Sequence, residues 1–231
     1  ARKVGPLLTA MRPSAYVALD ISAEHLHQAT TSLQSEHPSV PMLGICCDHS
    51  QLDGLPDHPL MREKRRVGFF PGSSLGNFTR DEAIELLRRF RLLLNGGPLL
   101  LGLDQPKASS RLEAAYNDAA GISAAFARNL LERLNNDLKA DFNPADFRYE
   151  AVWQSRESRV RMALISECDQ TVSIADEPWA FRTGQPLVTE YSVKYSPEMA
   201  RKLAEDAGWN WCRRWHDPDD DLSLHWLEAA D

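Results

Sequence analysis

The sequence predicts an α/β protein built on an open, largely parallel β-sheet with helices on both faces. In the N-terminal half, short apolar runs alternate with amphipathic segments at helical spacing, which is typical of strands joined by crossover helices. Three of these runs end at an aspartate, namely Asp20, Asp48 and Asp104. Another run leads into a glycine- and serine-rich turn at 71–78. Strand ends of this kind are where open α/β sheets bind their ligands.

The N-terminal elements are predicted from apolar periodicity and from helix-capping residues. Ser22 is the expected N-cap of a helix that reaches about Leu33. Thr79, followed three residues later by Glu82, predicts a capping box. In chain order we expect a helix at 4–11, a strand at 15–19, a helix at 22–33, a strand at 40–47, a strand at 67–70, a helix at 79–94 and a strand at 98–103.

The character of the sequence changes after the fourth predicted strand. An alanine-rich helical tract occupies 107–140, with a break at Gly121. Strand-like runs follow at 149–153, 159–165, 171–174 and 187–191. The first two of these runs predict a hairpin rather than another strand–helix–strand unit. We therefore interpret 107–194 as an inserted α+β domain.

The C-terminal segment is expected to return to the first sheet. A capped helix is predicted to begin at Ser196, and two closing strands follow at 209–215 and 222–227. The core domain would then consist of 1–106 together with 195–231.

Composition narrows the function classes. The formal net charge of −7 and the pI of about 5.5 argue against a nucleic-acid-binding protein, whose affinity comes largely from neutralising phosphates. No apolar run approaches the roughly 20 residues of a membrane helix. The four cysteines lack C-x-x-C spacing, which favours a reducing compartment. We expect a cytoplasmic monomer that binds neither nucleic acid, membrane nor metal.

The aspartates at the strand ends are candidate ligands for a nucleoside. Asp20 and Asp48 follow successive strands, and carboxylates there can accept hydrogen bonds from ribose hydroxyls or an adenine amino group. An acid before a helix is also favoured by the helix dipole alone. Two such acids followed by a glycine-serine turn favour the nucleoside pocket.

The turn at 71–78 offers small and polar groups to a ligand. Gly72 lets the backbone approach a ligand closely, while Ser73, Ser74 and Asn77 supply short polar side chains. Gly72 and Ser73 are candidates for cofactor binding. The alternative is a turn made only for folding, in which Asn77 satisfies its own backbone.

Two further polar groups stand out beyond the turn. Tyr116 lies in an otherwise alanine-rich helical tract, where it indicates either a ligand or a helix–helix contact. In the run 190–195, Glu190, Ser192 and Lys194 would share one face of a strand. A carboxylate beside a hydroxyl can bind an imidazole, although a solvated strand face has the same pattern.

Four separated motifs resemble one known family. F-F-P-G-S-S-L-G-N-F, A-A-Y-N-D-A-A-G-I-S-A-A-F, T-E-Y-S-V-K-Y and W-H-D-P are similar to signatures of the histidine-specific Nα-methyltransferases of ergothioneine biosynthesis. The similarity extends from about Arg2 to the C-terminus. It implies a Rossmann-like methyltransferase core with an inserted α+β substrate-binding domain, S-adenosylmethionine as cofactor and L-histidine as substrate.

The resemblance also implies roles for individual residues. Asp20 would bind the cofactor ribose and Asp48 the adenine. Glu190 and Ser192 would recognise the imidazole. The residues implied around the substrate amine and carboxylate are Gly72, Ser74, Asn77 and Tyr116. Asn77 and Tyr116 would be the catalytic pair, since they would anchor the carboxylate and aim the nitrogen.

The family's glycine-rich cofactor loop, of the E-x-G-S-G type, and the segment before it have no counterpart in these 231 residues. No site residue is therefore carried over from them. Two alternatives stay open at this point. In the first, the substrate is another amino acid or a small amine. In the second, the chain is a truncated, non-catalytic binding module.

Overall fold

The structure, a computed structural model, describes residues 3–48 and 50–230. Its helices are α1 (Gly5–Met11), α2 (Ala23–Glu36), α3 (Arg80–Leu93), α4 (Ser109–Tyr116), α5 (Ile122–Leu138) and α6 (Pro197–Asp206), with 3-10 helices at Ser74–Asn77 and Pro144–Asp146. Its strands are β1 (Tyr16–Asp20), β2 (Met42–Cys46), β3 (Gly68–Phe70), β4 (Leu99–Asp104), β5 (Phe147–Gln154), β6 (Arg159–Ser166), β7 (Gln170–Ile174), β8 (Glu177–Phe181), β9 (Pro186–Val193), β10 (Trp209–His216) and β11 (Leu222–Ala229).

The strands of the predicted core fall into two hydrogen-bonded sheets. β1 pairs in parallel with β2. The second sheet has the order β10-β11-β4-β3, in which β3 and β4 are parallel and the two closing strands are antiparallel. The predicted return of the C-terminal strands is therefore confirmed, since β11 pairs directly with β4.

Helix ends follow the capping chemistry of the sequence. The capping box of α3 is present: the Thr79 side chain accepts a hydrogen bond from the Glu82 backbone, and the Glu82 carboxylate accepts one from the Thr79 backbone at 2.8 Å. Ser22 caps α2. That helix continues past the predicted end at Leu33 and stops two residues before Pro38, because a proline disfavours helical backbone in the residue that precedes it.

The core of the four-stranded sheet lies between its strands and the helices α3 and α6. Its buried residues include Leu87, Leu101, Leu103 and Trp209. The Trp209 indole N–H donates to the backbone oxygen of Leu87 at 3.0 Å, so the ring is buried without an unpaired polar atom.

The middle of the chain forms separate antiparallel sheets, β5-β6-β9 and β7-β8. The predicted helical tract consists of α4 and α5, and the break occurs at Gly121, whose φ is +72°. The Asp118 carboxylate accepts hydrogen bonds from the first backbone N–H groups of α5. The Ser123 side chain, together with these backbone N–H groups, lowers the pKa of Asp118 to about 2. The division of the chain at 106 and 195 stays a prediction.

The sequence does not predict strand β8. Four of its five residues are exposed, and Pro178 weakens the strand signal. The two residues between β7 and β8, Ala175 and Asp176, have φ values of +50° and +66°. Such values are typical of a tight hairpin turn. Within the ranges described, no helix has both the length and the apolar character needed to cross a membrane.

Candidate active site

Gly76 seats the 3-10 helix of the turn directly on β9. A Cβ atom at Gly76 would lie 2.5 Å from the carbonyl oxygen of Val193, so the contact requires a residue without a side chain. This close approach brings the Asn77 amide near enough to the Glu190 carboxyl group to lower its pKa. The Asn77–Glu190 pair therefore joins two segments that the sequence singled out separately.

Glu190 is half-buried, and this burial dominates its electrostatics. Burial raises the pKa of its carboxyl group, while the nearby Asn77 amide lowers it by a smaller amount. A carboxylate held in such surroundings lacks part of its hydration. It is therefore a strong acceptor for a ligand N–H group.

A second polar group is centred on Lys194, whose side chain is 0% exposed. Its Nζ atom lies 2.6 Å from the Tyr116 hydroxyl, 2.8 Å from Ser192 Oγ and 2.7 Å from Asp104 Oδ2. The hydroxyls of Tyr116 and Ser192 lie 2.9 Å apart. The end of α4, the end of β4 and the strand β9 thus meet at one buried ammonium group, which we call the Lys194 cluster.

Tyr149 on β5 connects this cluster with Glu190. Its hydroxyl donates a hydrogen bond to the backbone oxygen of Tyr116 at 2.9 Å. Burial, and after it the nearby charge of Glu190, raises the pKa of the Tyr149 hydroxyl. Tyr149 therefore borders both polar groups of the site, and it keeps its proton at neutral pH.

The predicted substrate residues Asn77, Tyr116, Glu190 and Ser192 are thus brought together. Glu190, Ser192 and Lys194 lie on one face of β9 and its extension, as their alternation predicts. The side chains offer a carboxylate acceptor, an amide and two hydroxyls within one region. Such a set can recognise a small molecule that carries both donors and acceptors.

The start of the turn lies against the end of β4. A Cβ atom at Gly102 would lie 2.9 Å from the backbone nitrogen of Gly72, whose own φ is +80°. The Ser73 hydroxyl accepts a hydrogen bond from the Asp104 backbone N–H at 3.0 Å. Ser73 therefore fastens the turn to β4, a structural contact that the sequence did not predict. Ser74 opens the 3-10 helix and is exposed.

The two predicted nucleoside ligands lie at the carboxyl edge of the β1–β2 sheet. Asp20 is opposite Cys46 in the parallel register, and both carboxylates are exposed. Asp20 Oδ1 accepts from the Ser22 backbone at 2.8 Å, and Asp48 Oδ1 accepts from Ser50 Oγ at 2.6 Å. These bonds hold the carboxylates at the sheet edge, where carboxylates can accept hydrogen bonds from ribose hydroxyls or an adenine amino group. The residues present therefore fit a nucleoside cofactor.

Comparisons with known proteins show the family of the chain. Residues 1–229 match the family described as histidine-specific, SAM-dependent methyltransferases. The chain belongs to this family. The expected S-adenosylmethionine cofactor and the expected methyltransferase class are thereby confirmed, and neither a different amine substrate nor a non-catalytic module is favoured.

Two curated relatives of this methyltransferase are named histidine N-alpha-methyltransferase. The protein of Mycolicibacterium smegmatis is 35% identical over 97% of this chain and 71% of its own length. That of Mycobacterium tuberculosis is 33% identical over 90% of this chain and 65% of its own length. The chain thus spans about two thirds of the length of these two relatives.

The solved structure of an S-adenosylmethionine-dependent methyltransferase from Clostridium acetobutylicum has the same overall fold. It aligns with a TM-score of 0.51 at 13% identity, over 100% of this chain and 79% of the other. The predicted α/β methyltransferase fold is confirmed.

Three residues of the methyltransferase site were not assigned from the sequence: Asp104, Tyr149 and Lys194. Lys194 lies two residues after Ser192 on the same strand face, so the alternation itself contained a signal. The sequence contains no such signal for Tyr149, because the partners of its side chain belong to other elements. Asp104 was noted as a strand-end acid, but its ion pair with Lys194 spans 90 residues of sequence.

Proposed function

We propose that this methyltransferase methylates the α-amino group of L-histidine in successive steps, giving the trimethylated betaine of the ergothioneine pathway. The observation that carries the proposal is the meeting of the Asn77–Glu190 pair with the Tyr116–Ser192 pair. The Asn77–Glu190 pair supplies a partly desolvated carboxylate, and the Tyr116–Ser192 pair supplies two ordered hydroxyls. The names of the curated relatives support the same reaction.

Recognition of the imidazole ring is assigned to Glu190 and Ser192. A neutral imidazole has one N–H donor and one acceptor nitrogen. The Glu190 carboxylate accepts from the N–H, and the Ser192 hydroxyl donates to the other nitrogen. An analogue without these ring atoms leaves the half-buried Glu190 carboxylate without its ligand donor, which is why such sites reject it strongly.

Asn77 and Tyr116 are assigned to the α-carboxylate and the amine. Asn77 has amide N–H donors for a carboxylate, and Tyr116 is held by Lys194 close to the ring-binding residues. S-adenosylmethionine, when bound, supplies an electrophilic methyl group on its sulfonium sulfur. The reaction then depends on a correctly oriented, unprotonated amine more than on a strong acid or base.

Cofactor binding is assigned to Asp20, Asp48, Gly72 and Ser73. The two carboxylates would hold the ribose hydroxyls and the adenine amino group. Gly72 has a positive φ and no side chain, and the Lys3 Nζ atom would lie 3.2 Å from a Cβ atom at this position. The absence of a side chain lets a ligand approach the turn backbone closely. Ser74 is assigned to the substrate side of the same turn, together with Gly72.

We also propose a cytoplasmic location and a monomeric state. The four cysteines are free thiols in the described chain, and three of them are exposed. Exposed thiols of this kind persist in a reducing compartment. Size-exclusion chromatography with light scattering tests the monomer.

Calorimetric titration tests the proposed function. S-adenosylhomocysteine, the cofactor product, is titrated into the protein with and without L-histidine. We expect each ligand to strengthen binding of the other, because the turn at 71–78 borders both sites. A folded protein that binds S-adenosylhomocysteine but shows no heat with histidine would contradict the substrate assignment. Tryptophan and tyrosine serve as control amino acids.

A further inference from the structure

We propose that Lys194 is a positioning residue for the substrate site, which acts by holding the hydroxyls of Tyr116 and Ser192 in one fixed arrangement. The inference rests on the proposed function of those two hydroxyls. It adds a residue that acts on the ligand through these neighbouring hydroxyls.

The Lys194 ammonium group is saturated by protein atoms. It has three N–H donors, and three acceptors lie within hydrogen-bond distance, in Asp104, Tyr116 and Ser192. A fully buried ammonium is tolerated only when it is paired in this way. No N–H group is therefore left for a ligand, so the role of Lys194 is carried out through its neighbours.

Both ends of the lysine are fixed. Its backbone N–H donates to Ser158 at 2.7 Å, and its carbonyl accepts from Ser158 Oγ at 2.7 Å. At the other end, Asp104 also pairs with Lys107. A side chain held at its backbone and at its charge has little freedom to move. It therefore transmits a defined position to the two hydroxyls.

The fixed arrangement determines which protons and lone pairs of the two hydroxyls remain for a ligand. Each hydroxyl has one proton and two lone pairs. Lys194 fills one lone pair on Tyr116 and one on Ser192, and the bond between the hydroxyls uses one proton and one further lone pair. One proton and one lone pair remain, on different oxygens. The pair can thus donate once and accept once, which matches the acceptor nitrogen of the imidazole and an N–H group of the unprotonated α-amine.

Without Lys194, the two hydroxyls lose this constraint. Each could rotate, and either could offer its proton or its lone pairs independently of the other. The ligand would then have to order both groups on binding, at an entropic cost. The site would keep its chemical groups but lose their arrangement.

The first test is Lys194→Met, which keeps the length of the side chain and removes its donors. Asp104 stays paired with Lys107 in this variant, so the protein is expected to fold. We expect the affinity for L-histidine to fall about 10- to 100-fold, as when hydrogen bonds from a charged group are lost, with S-adenosylhomocysteine affinity changed less than about twofold. Lys202→Met is the matched control, because that side chain is exposed.

A double-mutant cycle separates positioning from a general structural role. In the background Tyr116→Phe with Ser192→Ala, the hydroxyls are absent, so Lys194→Met should weaken histidine binding less than about threefold further. A structural defect would lower affinity by the same factor in both backgrounds. If Lys194→Met is poorly folded, the double variant Asp104→Asn with Lys194→Met removes both charges of the ion pair. Its histidine affinity is then compared in the same two backgrounds, with and without the hydroxyls.

Different results would overturn the role of Lys194 and the proposed function. Equal histidine affinity of the Lys194→Met variant and the unaltered protein would overturn the role of Lys194 alone, as would additive effects in the cycle. Failure of the unaltered protein to bind histidine, while it binds S-adenosylhomocysteine, would overturn the proposed function and this inference with it.

Discussion

The Tyr116 hydroxyl lies 2.9 Å from Ser192 Oγ, although the two residues are 76 positions apart in the chain. Tyr116 is the last residue of α4, and Ser192 lies near the end of β9. Their contact places a helix end and a strand face of the middle segment beside the turn that carries Asn77. The site depends on this convergence of three elements.

Replacing Glu190 by alanine should remove recognition of the imidazole. We expect histidine affinity to fall about 10- to 100-fold, because a desolvated, charged acceptor is lost. S-adenosylhomocysteine affinity should stay nearly unchanged. Calorimetry with both ligands checks this, and Glu177→Ala, an exposed glutamate in β8, is the control. Unchanged histidine affinity would refute the assignment of Glu190.

Replacing Glu190 by glutamine should stabilise the protein without ligand. Burial raises the pKa of Glu190 above that of an unfolded chain, so the folded state holds the proton more tightly. The resulting stability is present in acid and is lost as the pH rises through the folded-state pKa. At pH 7 the ionised carboxylate therefore costs stability, and Glu190→Gln should have a higher Tm. The Tm difference between Glu190→Gln and the unaltered protein should shrink below the pKa of glutamate in the unfolded chain. A lower Tm of the variant than of the unaltered protein at pH 7 would contradict this account.

Gly76→Ala should damage the contact between the turn and β9. The added Cβ atom would lie 2.5 Å from a backbone oxygen that cannot move without disturbing the strand. We expect a loss of about 1–3 kcal/mol in unfolding free energy, together with weaker histidine binding, since Asn77 shifts away from Glu190. Gly54→Ala is the control, because no atom lies within 4 Å of its Cβ position. Equal urea midpoints for the two variants would argue against the contact.

His225 should make the folded protein sensitive to mild acid. Its Nδ1 accepts from the Trp211 indole at 2.8 Å, and its Nε2 lies 2.7 Å from Ser223 Oγ, so the ring is neutral. Burial, with a smaller effect of Arg214, lowers the pKa of His225 to about 4. The unfolded chain binds this proton first, so stability is present above pH 6.5 and declines as the pH falls toward 4.

Urea unfolding between pH 7.5 and pH 5 measures this effect. The pKa difference predicts that His225 alone accounts for a loss of roughly 2 kcal/mol at pH 5. His225→Gln should be less stable at pH 7.5 and should show a shallower decline. Exposed His27 replaced by glutamine provides the comparison. Equal declines for the His225 variant and the unaltered protein would show that another group is responsible.

Much of the fold could be predicted because its signals are local. Ser22, Thr79 and Glu82 mark helix starts through hydrogen bonds within a few residues, and apolar periodicity marks the strands of the core. β8 was missed because its exposed residues follow no such period. Its turn is equally hard to recognise, since it contains no glycine and alanine, as at Ala175, rarely adopts positive φ.

The candidate site was predictable only in part, for the same physical reason. Asn77, Glu190 and Ser192 lie in motifs that stand out along the chain. The role of Lys194 depends on partners in two other elements, and Tyr149 acts through a backbone oxygen of α4. Such contacts follow from packing, and no short stretch of sequence contains them.

The most direct test of the account is the product formed from L-histidine and S-adenosylmethionine. Mass spectrometry of the reaction should show mono-, di- and trimethylated histidine in succession, with methylation on the α-nitrogen and none on the imidazole ring. The central claim would be contradicted if the folded protein bound S-adenosylhomocysteine and methylated a different amine but left histidine unmodified.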